Sequence, residues 1–204
     1  MFKIAGVSWT LANPSFASTR LIYTMGHSTR TFDEFVAILR AHGIRAIADV
    51  RRIPKSRKLP HFADTSLAIE LPNARIHYLP FKSLGGRRRP SPNSPNTGWR
   101  NESFRGYADY LAMPEFLAAL DALMMVARDV RIATLCAEAV PWRCHRSLIS
   151  DALLIRGWTV LDILSQAKAV PHELTPFARV EGTTITYPPL NDPPAACGHG
   201  GLFD

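Results

Sequence analysis

Short apolar segments alternate with longer helical patterns along most of this chain, and this alternation constrains the fold more than any other feature of the sequence. Strands that helices separate in this way pair in parallel, with right-handed crossovers and helices covering both faces of the sheet. The predicted strands are residues 21–25, 44–50, 75–79, 130–135 and 158–164. We therefore expect an α/β fold, a three-layer sandwich with a mostly parallel sheet of about five strands.

Helical patterns fill most of the connections between these segments. The first helix is predicted after Thr31, because Glu34 three residues later completes a capping box, and it ends before Gly43. Further helices are predicted at residues 65–71, 103–112, 114–128 and 145–156. Residues 21–170 are expected to form one α/β domain, after an irregular extension (1–20) and before a partly ordered, Pro- and Gly-rich tail (171–204).

The lack of a recognisable targeting signal and the cysteine usage favour a cytoplasmic protein that does not enter a membrane. No window of the chain approaches the roughly 18 consecutive apolar residues that a membrane span needs, and residues 1–10 lack the pattern of a secretory signal. Cys136, Cys144 and Cys197 are an odd number without the spacing of a disulfide scaffold, which favours a reducing compartment.

Positive charge is concentrated in two segments of the chain. The net charge is +7, and residues 45–60 and 82–105 each contain six basic residues and one acidic residue. Such clusters favour an anionic partner, either a phosphorylated small molecule or a nucleic acid. The alternative is that both segments are solvated loops that only keep the protein soluble.

Polar residues follow the predicted strands at their carboxyl ends, where ligands bind in open parallel sheets. The candidate site residues are His27 and Ser28 after the first strand, Asp49 and Arg51 after the second, Gly85, Gly86 and Arg87 after the third, and Glu138, Cys144, His145 and Arg146 after the fourth. Each motif alone is weak, but their joint placement at one edge indicates a binding or catalytic site.

Cys144 opens the helix predicted at 145–156, so the helix dipole and the neighbouring basic residues favour its thiolate form. In the functional interpretation Cys144 is a nucleophile or His145 an acid or base, and Arg146 holds an anionic group. In the structural interpretation Cys144 is packed, His145 caps the helix and Arg146 pairs with Glu138. The sequence leaves both interpretations open.

Known cofactor fingerprints are not found. The chain contains neither a Walker motif nor the glycine pattern of dinucleotide-binding folds, which argues against ATP hydrolysis and NAD binding. Cys136, Cys144, His145 and His27 are suitable ligand types for zinc, but they lack the tightly spaced pairs of ordinary structural zinc sites. We therefore predict neither a metal nor another cofactor.

The motifs occur in an order that resembles a known family. They are Tyr23-Thr24-Met25-Gly26-His27-Ser28, Asp49-Val50-Arg51 with Pro54, Leu84-Gly85-Gly86, Leu135-Cys136-Ala137-Glu138 and Cys144-His145-Arg146-Ser147. In order and spacing they resemble the family catalogued as domain of unknown function 488, over roughly residues 21–165. The resemblance implies an α/β sandwich, and the name of the family does not indicate an activity.

The leading functional hypothesis is an enzyme that acts on a phosphate-bearing or nucleotide-like substrate at the carboxyl edge of the sheet. Asp49 and Glu138 are the predicted acid and base, and Cys144 with His145 is the reactive or positioning pair. His27 and Ser28 would orient the substrate, and the loop Gly85-Gly86 and the residues Arg51, Arg87 and Arg146 would bind its anionic group.

Two other classes of protein remain as alternatives. A nucleic-acid-binding accessory protein without catalysis would use both basic segments against the phosphate backbone. A metal-dependent protein would use Cys136, Cys144 and His145, and we give it the least weight.

Overall fold

The computed structural model describes residues 20–189. Nearly all of the predicted irregular extension at residues 1–20, and the part of the tail that contains Cys197, lie outside the described residues.

The elements alternate as the sequence predicted. The strands are β1 (Leu21–Gly26), β2 (Ala46–Asp49), β3 (His77–Pro80), β4 (Ile132–Cys136), β5 (Thr159–Ile163), β6 (Ala169–Pro171), β7 (Arg179–Glu181) and β8 (Thr184–Thr186). The helices are α1 (Phe32–Ala41), α2 (Asp64–Asn73), α3 (Glu102–Tyr110), α4 (Pro114–Asp129) and α5 (Arg146–Leu154). Short 3₁₀ turns occupy Pro60–Phe62, Lys82–Leu84 and Pro141–Arg143.

In the part of the chain that the structure describes, the main sheet has six strands in the order β3-β2-β4-β1-β5-β6. The first five are parallel, and β6 pairs antiparallel with β5. This confirms the predicted α/β sandwich with a mostly parallel sheet. The prediction of about five strands did not include β6, because a three-residue strand that ends in a proline carries almost no sequence pattern.

Helices cover both faces of the sheet, because alternate strand residues point to opposite sides. Helices α1 and α2 pack on one face through Phe35, Leu39 and Leu67, where Met25 and Ile47 belong to the same apolar cluster. Helices α3, α4 and α5 cover the other face through side chains that include Tyr107, Phe116, Leu120 and Leu148.

The first helix begins as its sequence predicted. The Thr31 hydroxyl accepts a hydrogen bond from the Glu34 backbone N–H at 3.2 Å, and the Glu34 carboxylate accepts one from the Thr31 N–H at 2.8 Å. This reciprocal capping box fixes where α1 starts, directly after the loop that carries His27 and Ser28.

Residues 172–189 return over the domain and are held by a buried carboxylate. Asp151 on α5 accepts hydrogen bonds from the Thr175 N–H and hydroxyl, the Tyr187 hydroxyl and the His172 Nε2. The Nδ1 of His172 contacts Asp162 on β5 at 3.1 Å. We call these five residues (Asp151, Asp162, His172, Thr175 and Tyr187) the Asp151 clasp.

Within residues 20–189, no single helix is long and apolar enough to cross a membrane. The pair α3 and α4 meets the criteria of length and composition only when the two helices are taken together, and they are bent by 76° at the break between them.

Candidate functional site

A cleft of about 400 Å³ opens at the carboxyl edge of the sheet, between the loops that follow β1, β2, β3 and β4. Among the described residues, its lining contains five basic side chains and one acidic side chain, which are Arg51, Arg52, Lys55, Arg87, Arg143 and Glu138. Cys136, Cys144 and His145 also line it, and the two cysteines are almost completely buried. The cleft therefore combines a cationic rim with two sulfurs and an imidazole at its floor.

Asp49 holds Arg51 in place at the end of β2. The Asp49 carboxylate accepts hydrogen bonds from the Arg51 Nε at 2.8 Å and Nη2 at 2.6 Å, and from the Tyr78 hydroxyl at 2.7 Å. The remaining guanidinium nitrogen of Arg51 donates to the Phe62 carbonyl. Asp49 is 1% exposed and is not part of the cleft lining, so it positions Arg51 from below.

His27 is a neutral imidazole beside Arg51. Burial is the main cause that lowers the pKa of His27 to about 4, and the Arg51 guanidinium contributes in the same direction. The ring stacks on Phe62 with 4.2 Å between centroids. Its Nδ1 lies 2.9 Å from the Ser28 carbonyl and its Nε2 lies 3.3 Å from the Arg51 Nη1. The carbonyl can only accept, so Nδ1 carries the proton and Nε2 accepts from Arg51.

The Gly85-Gly86 segment allows the loop after β3 to approach the cleft floor closely. A Cβ at Gly85 would lie 2.7 Å from the Arg52 backbone nitrogen, and one at Gly86 would lie 2.9 Å from the His145 Nδ1. The next residue, Arg87, has a positive φ of 61° and accepts a hydrogen bond on its carbonyl from the Arg52 guanidinium. Two glycines are thus required by packing against Arg52 and His145.

The two cysteines of the cleft form a coupled pair. The hydrogen bond between them lowers the pKa of Cys144 well below its usual value, with further contributions from His145 and Arg146 and against the effect of burial. The same hydrogen bond, together with burial, raises the pKa of Cys136. The two cysteines are therefore coupled in a way that favours the thiolate form at Cys144 and the thiol form at Cys136.

His145 lies against both sulfurs. Its Nδ1 is 3.6 Å from the Cys144 Sγ and 4.0 Å from the Cys136 Sγ, and its Nε2 is 2.9 Å from the Val50 carbonyl. Its ring is 4.9 Å from that of Tyr107, whose hydroxyl donates to the Leu84 carbonyl at 2.6 Å. His145 is the residue before α5, but its side chain makes no capping hydrogen bond.

Arg146 is buried beneath the cleft. It is 1% exposed and donates hydrogen bonds to the Thr24 hydroxyl at 2.9 Å and to the Glu138 backbone carbonyl at 2.6 Å. Its Nε has no hydrogen-bond partner among the described residues, and none of their carboxylates forms an ion pair with it. The predicted pairing of Arg146 with Glu138 is therefore made through the backbone, and the Glu138 carboxylate remains exposed.

The structure brings most of the predicted site residues to one cleft. His27, Arg51, Gly86, Arg87, Glu138, Cys144 and His145 line it. Ser28, Asp49, Gly85 and Arg146 do not, because their side chains or backbone serve the loops that shape it. Ser28 continues the pairing of β1 and β4 through its N–H to the Ala137 carbonyl, with a positive φ of 53°.

Two residues that shape the floor were not among the predicted site residues. Thr24 is an inner residue of β1, and Tyr107 is one of the apolar positions of α3. Their patterns indicate only core residues, and no local signal predicts that their hydroxyls support Arg146 and the Gly85-Gly86 loop. Arg52 and Lys55 belong to the basic segment 45–60 that the sequence identified, and Arg143 is one of the basic residues beside Cys144. Only the fold shows that these three side chains line the cleft.

Comparisons with known proteins give one match. A family model described as "Domain of unknown function DUF488" matches residues 31–153, which include β2, β3, β4 and nearly all of α5. A search of curated proteins and a search of solved structures returned no match. The match spans more than half of the chain and contains every cleft residue except His27. The chain belongs to the family of the domain of unknown function DUF488.

Proposed function

We propose that this protein is an enzyme that acts on a phosphate-bearing or nucleotide-like substrate in the cleft at the carboxyl edge of its sheet. The observation that carries the proposal is the composition of the lining among the described residues. Five cations, of which Arg51 is paired with Asp49, lie around Cys144 and His145 together with one lining carboxylate. Cationic clefts of this kind concentrate anions, and guanidinium groups bind phosphate oxygens through paired hydrogen bonds.

The anionic group of the substrate would bind between the loops after β2 and β3. Arg51 is fixed by Asp49, so its orientation is set before a ligand arrives. Arg87 and Lys55 are exposed and can adjust to the ligand. A rigid guanidinium beside adjustable cations lowers the ordering cost of binding.

Reactive groups lie next to this anion site. Within residues 20–189, Glu138 is the only acidic side chain of the lining, and it is exposed, so it can exchange a proton with bound substrate. Cys144 and His145 form the reactive pair at the floor. Asp49, predicted as the second acid or base, is instead assigned as a positioning residue, because its contacts with Arg51 and Tyr78 occupy both carboxylate oxygens.

Ligand binding is tested first, by thermal unfolding with inorganic phosphate, sugar phosphates, nucleotides, and DNA and RNA oligonucleotides at low and moderate salt. A ligand that binds the native state raises the melting temperature by mass action. Stabilisation by a small phosphate compound is expected, and it should be lost in Arg87→Gly. The matched control is Arg75→Gly, because Arg75 also has a positive φ (63°) but does not line the cleft.

Turnover is tested on the ligand that stabilises most, by phosphorus and proton NMR of the mixture over time. New resonances are expected with the parent and with Arg75→Gly, and not with folded Glu138→Ala or Cys144→Ala. Binding without any new resonance would overturn the enzyme assignment. Stabilisation only by oligonucleotides, lost with salt and unchanged in Cys144→Ala, would instead support the non-catalytic nucleic-acid-binding alternative.

A further inference from the structure

Three potential metal ligands converge at the floor of the cleft. The Sγ atoms of Cys136 and Cys144 and one ring nitrogen of His145 all lie within 4.8 Å of one another. The Nδ1 of His145 is 3.6 Å from one sulfur and 4.0 Å from the other. In a tetrahedral zinc site the bond lengths require about 3.5 Å between sulfur and nitrogen and about 3.8 Å between two sulfurs. These side chains are therefore already spaced close to what such a site requires.

The hydrogen bonding of His145 leaves the correct nitrogen available. Its Nε2 lies 2.9 Å from the Val50 carbonyl, which can only accept, so Nε2 carries the proton. Nδ1 is therefore the ring nitrogen that is directed at both sulfurs and is placed to bind a metal ion. A backbone carbonyl that fixes the tautomer and orientation of a histidine in this way is typical of metal-binding histidines.

The close approach of Gly86 and the buried charge of Arg146 also favour a metal site at the floor of the cleft. A Cβ at Gly86 would lie 2.9 Å from Nδ1, so the absence of a side chain there keeps the surroundings of this nitrogen open. The Arg146 guanidinium is buried and has no ion-pair partner among the described carboxylates. A buried cation near the sulfurs offsets part of the negative charge that two thiolate ligands carry.

We propose that Cys136, Cys144 and His145 bind one zinc-type divalent cation, with a fourth position that opens into the cleft. Two thiolates and an imidazole are ligands that zinc prefers over magnesium or calcium. No fourth histidine, cysteine or carboxylate of the described residues joins the group, and three protein ligands with an open position are the pattern of catalytic rather than structural zinc.

The open position would bind water or a phosphate oxygen of the substrate, and this part of the inference rests on the proposed function. Because all three ligands line the same cleft as Arg51 and Arg87, an anion bound by these arginines would lie within the region that the cation faces. The spacing of the two cysteines in the sequence argued against a metal, and their convergence in the fold reverses that argument.

The test uses the full chain, purified without added metals or chelators and kept reduced. Inductively coupled plasma mass spectrometry should find one zinc per chain. Cobalt added to metal-free protein should produce one equivalent of a sulfur-to-cobalt charge-transfer band, because thiolate ligands give this band and oxygen ligands do not. Cys136→Ser, Cys144→Ser and His145→Ala should each weaken cobalt binding by more than about 100-fold.

Cys197→Ser is the control, since it removes the remaining cysteine of the chain and should leave the cobalt band unchanged. If the reduced parent protein shows neither stoichiometric metal nor the band, the proposal is overturned without reference to any variant. A band that survives in folded Cys144→Ser but disappears in Cys197→Ser would also overturn it. If the reduced protein binds no metal and mild oxidation joins Cys136 to Cys144 in a disulfide, the two cysteines are a dithiol pair and the proposal is overturned.

Failure of the metal site and failure of the proposed function give different results. If metal-free protein is stabilised by phosphate ligands and turns them over, the proposed cation site has no part in the function and the enzyme assignment is retained. One bound metal per chain without any turnover would retain the site and remove the enzyme assignment.

Discussion

The Asp151 clasp and the cleft are both built from buried polar groups, but they satisfy those groups to different degrees. In the clasp, both oxygens of Asp151 accept hydrogen bonds from three residues, and His172 contacts a carboxylate on each ring nitrogen. Beneath the cleft, the Nε of Arg146 has no partner within residues 20–189, and of the five cations in the lining only Arg51 forms an ion pair with a described carboxylate. In the clasp the charged groups are paired with one another, although the Oδ1 of Asp162 has no hydrogen-bond partner among the described residues. In the cleft most of the charged groups have no such pairing.

This difference separates stability from binding. A buried charge whose partners come from the protein itself contributes to the folded state, and removing one partner leaves the others uncompensated. Charges without internal partners do not stabilise the folded state, but they are available to a ligand. Changes in the clasp should therefore reduce stability, and changes in the cleft should reduce binding.

The largest expected effect is the loss of the Asp151 carboxylate. Asp151→Ala leaves His172, Thr175 and Tyr187 without their shared acceptor and should lower the free energy of unfolding by about 3–5 kcal/mol. Urea unfolding followed by circular dichroism measures it. Glu173→Ala, an exposed acid in the same segment, is the control and should change little. Equal effects of the two substitutions would show that the clasp does not hold residues 172–189 to the domain.

The second effect is a pH dependence that originates in the clasp. Burial alone would lower the pKa of His172, but its contacts with Asp151 and Asp162 outweigh burial and raise it to about 9, from an ordinary value of 6.5. The folded chain therefore retains this proton at pH values where the unfolded chain has lost it. The stabilisation is complete below pH 6.5 and is lost as the pH rises to about 9, a change of about 3 kcal/mol.

Urea unfolding of the parent and of His172→Gln across this pH range measures the effect, because subtraction removes the titration of all other groups. The difference between the two proteins should shrink as the pH rises. Parallel curves would contradict the assignment of this pH dependence to His172, since they would mean that its proton does not contribute to folding.

A smaller loss of stability is expected in the cleft when Gly86 is replaced. The Cβ of Gly86→Ala would contact the His145 ring, and such overpacking costs about 1–3 kcal/mol. In a His145→Ala background the same substitution should cost almost nothing, because the ring is absent. A double-mutant cycle of urea unfolding measures this coupling. If the cost were the same in both backgrounds, the close packing of Gly86 on His145 would not be its cause.

The fold was predictable because its signals are local. The capping box of Thr31 and Glu34, and apolar strands separated by helices, each depend on a few neighbouring residues. The edge of the sheet at which the cleft opens was predictable as well, since parallel strands bring their carboxyl ends together.

The details of both polar regions were not predictable from local patterns. Seven residues separate Cys136 from Cys144, and only the 3₁₀ turn Pro141–Arg143 and the following chain bring the second sulfur back to the end of β4. Asp49 was predicted as a catalytic carboxylate, but it is paired with Arg51 and does not line the cleft. The partners of Asp151 lie 21 to 36 residues away in sequence, so no short motif indicated the clasp.

The smallest effect on stability is expected for Arg87 at the rim of the cleft, because Arg75 provides a closely matched comparison outside the cleft. Arg87 and Arg75 are both exposed and both have positive φ values, of 61° and 63°, so replacement by glycine changes the same side chain in the same backbone conformation. Each substitution should change the free energy of unfolding by less than about 0.5 kcal/mol. Only Arg87→Gly removes a cation from the cleft, so only this variant should lose the thermal stabilisation by phosphate ligands. An equal loss in Arg75→Gly would show that the whole basic surface, rather than the cleft, attracts the anion.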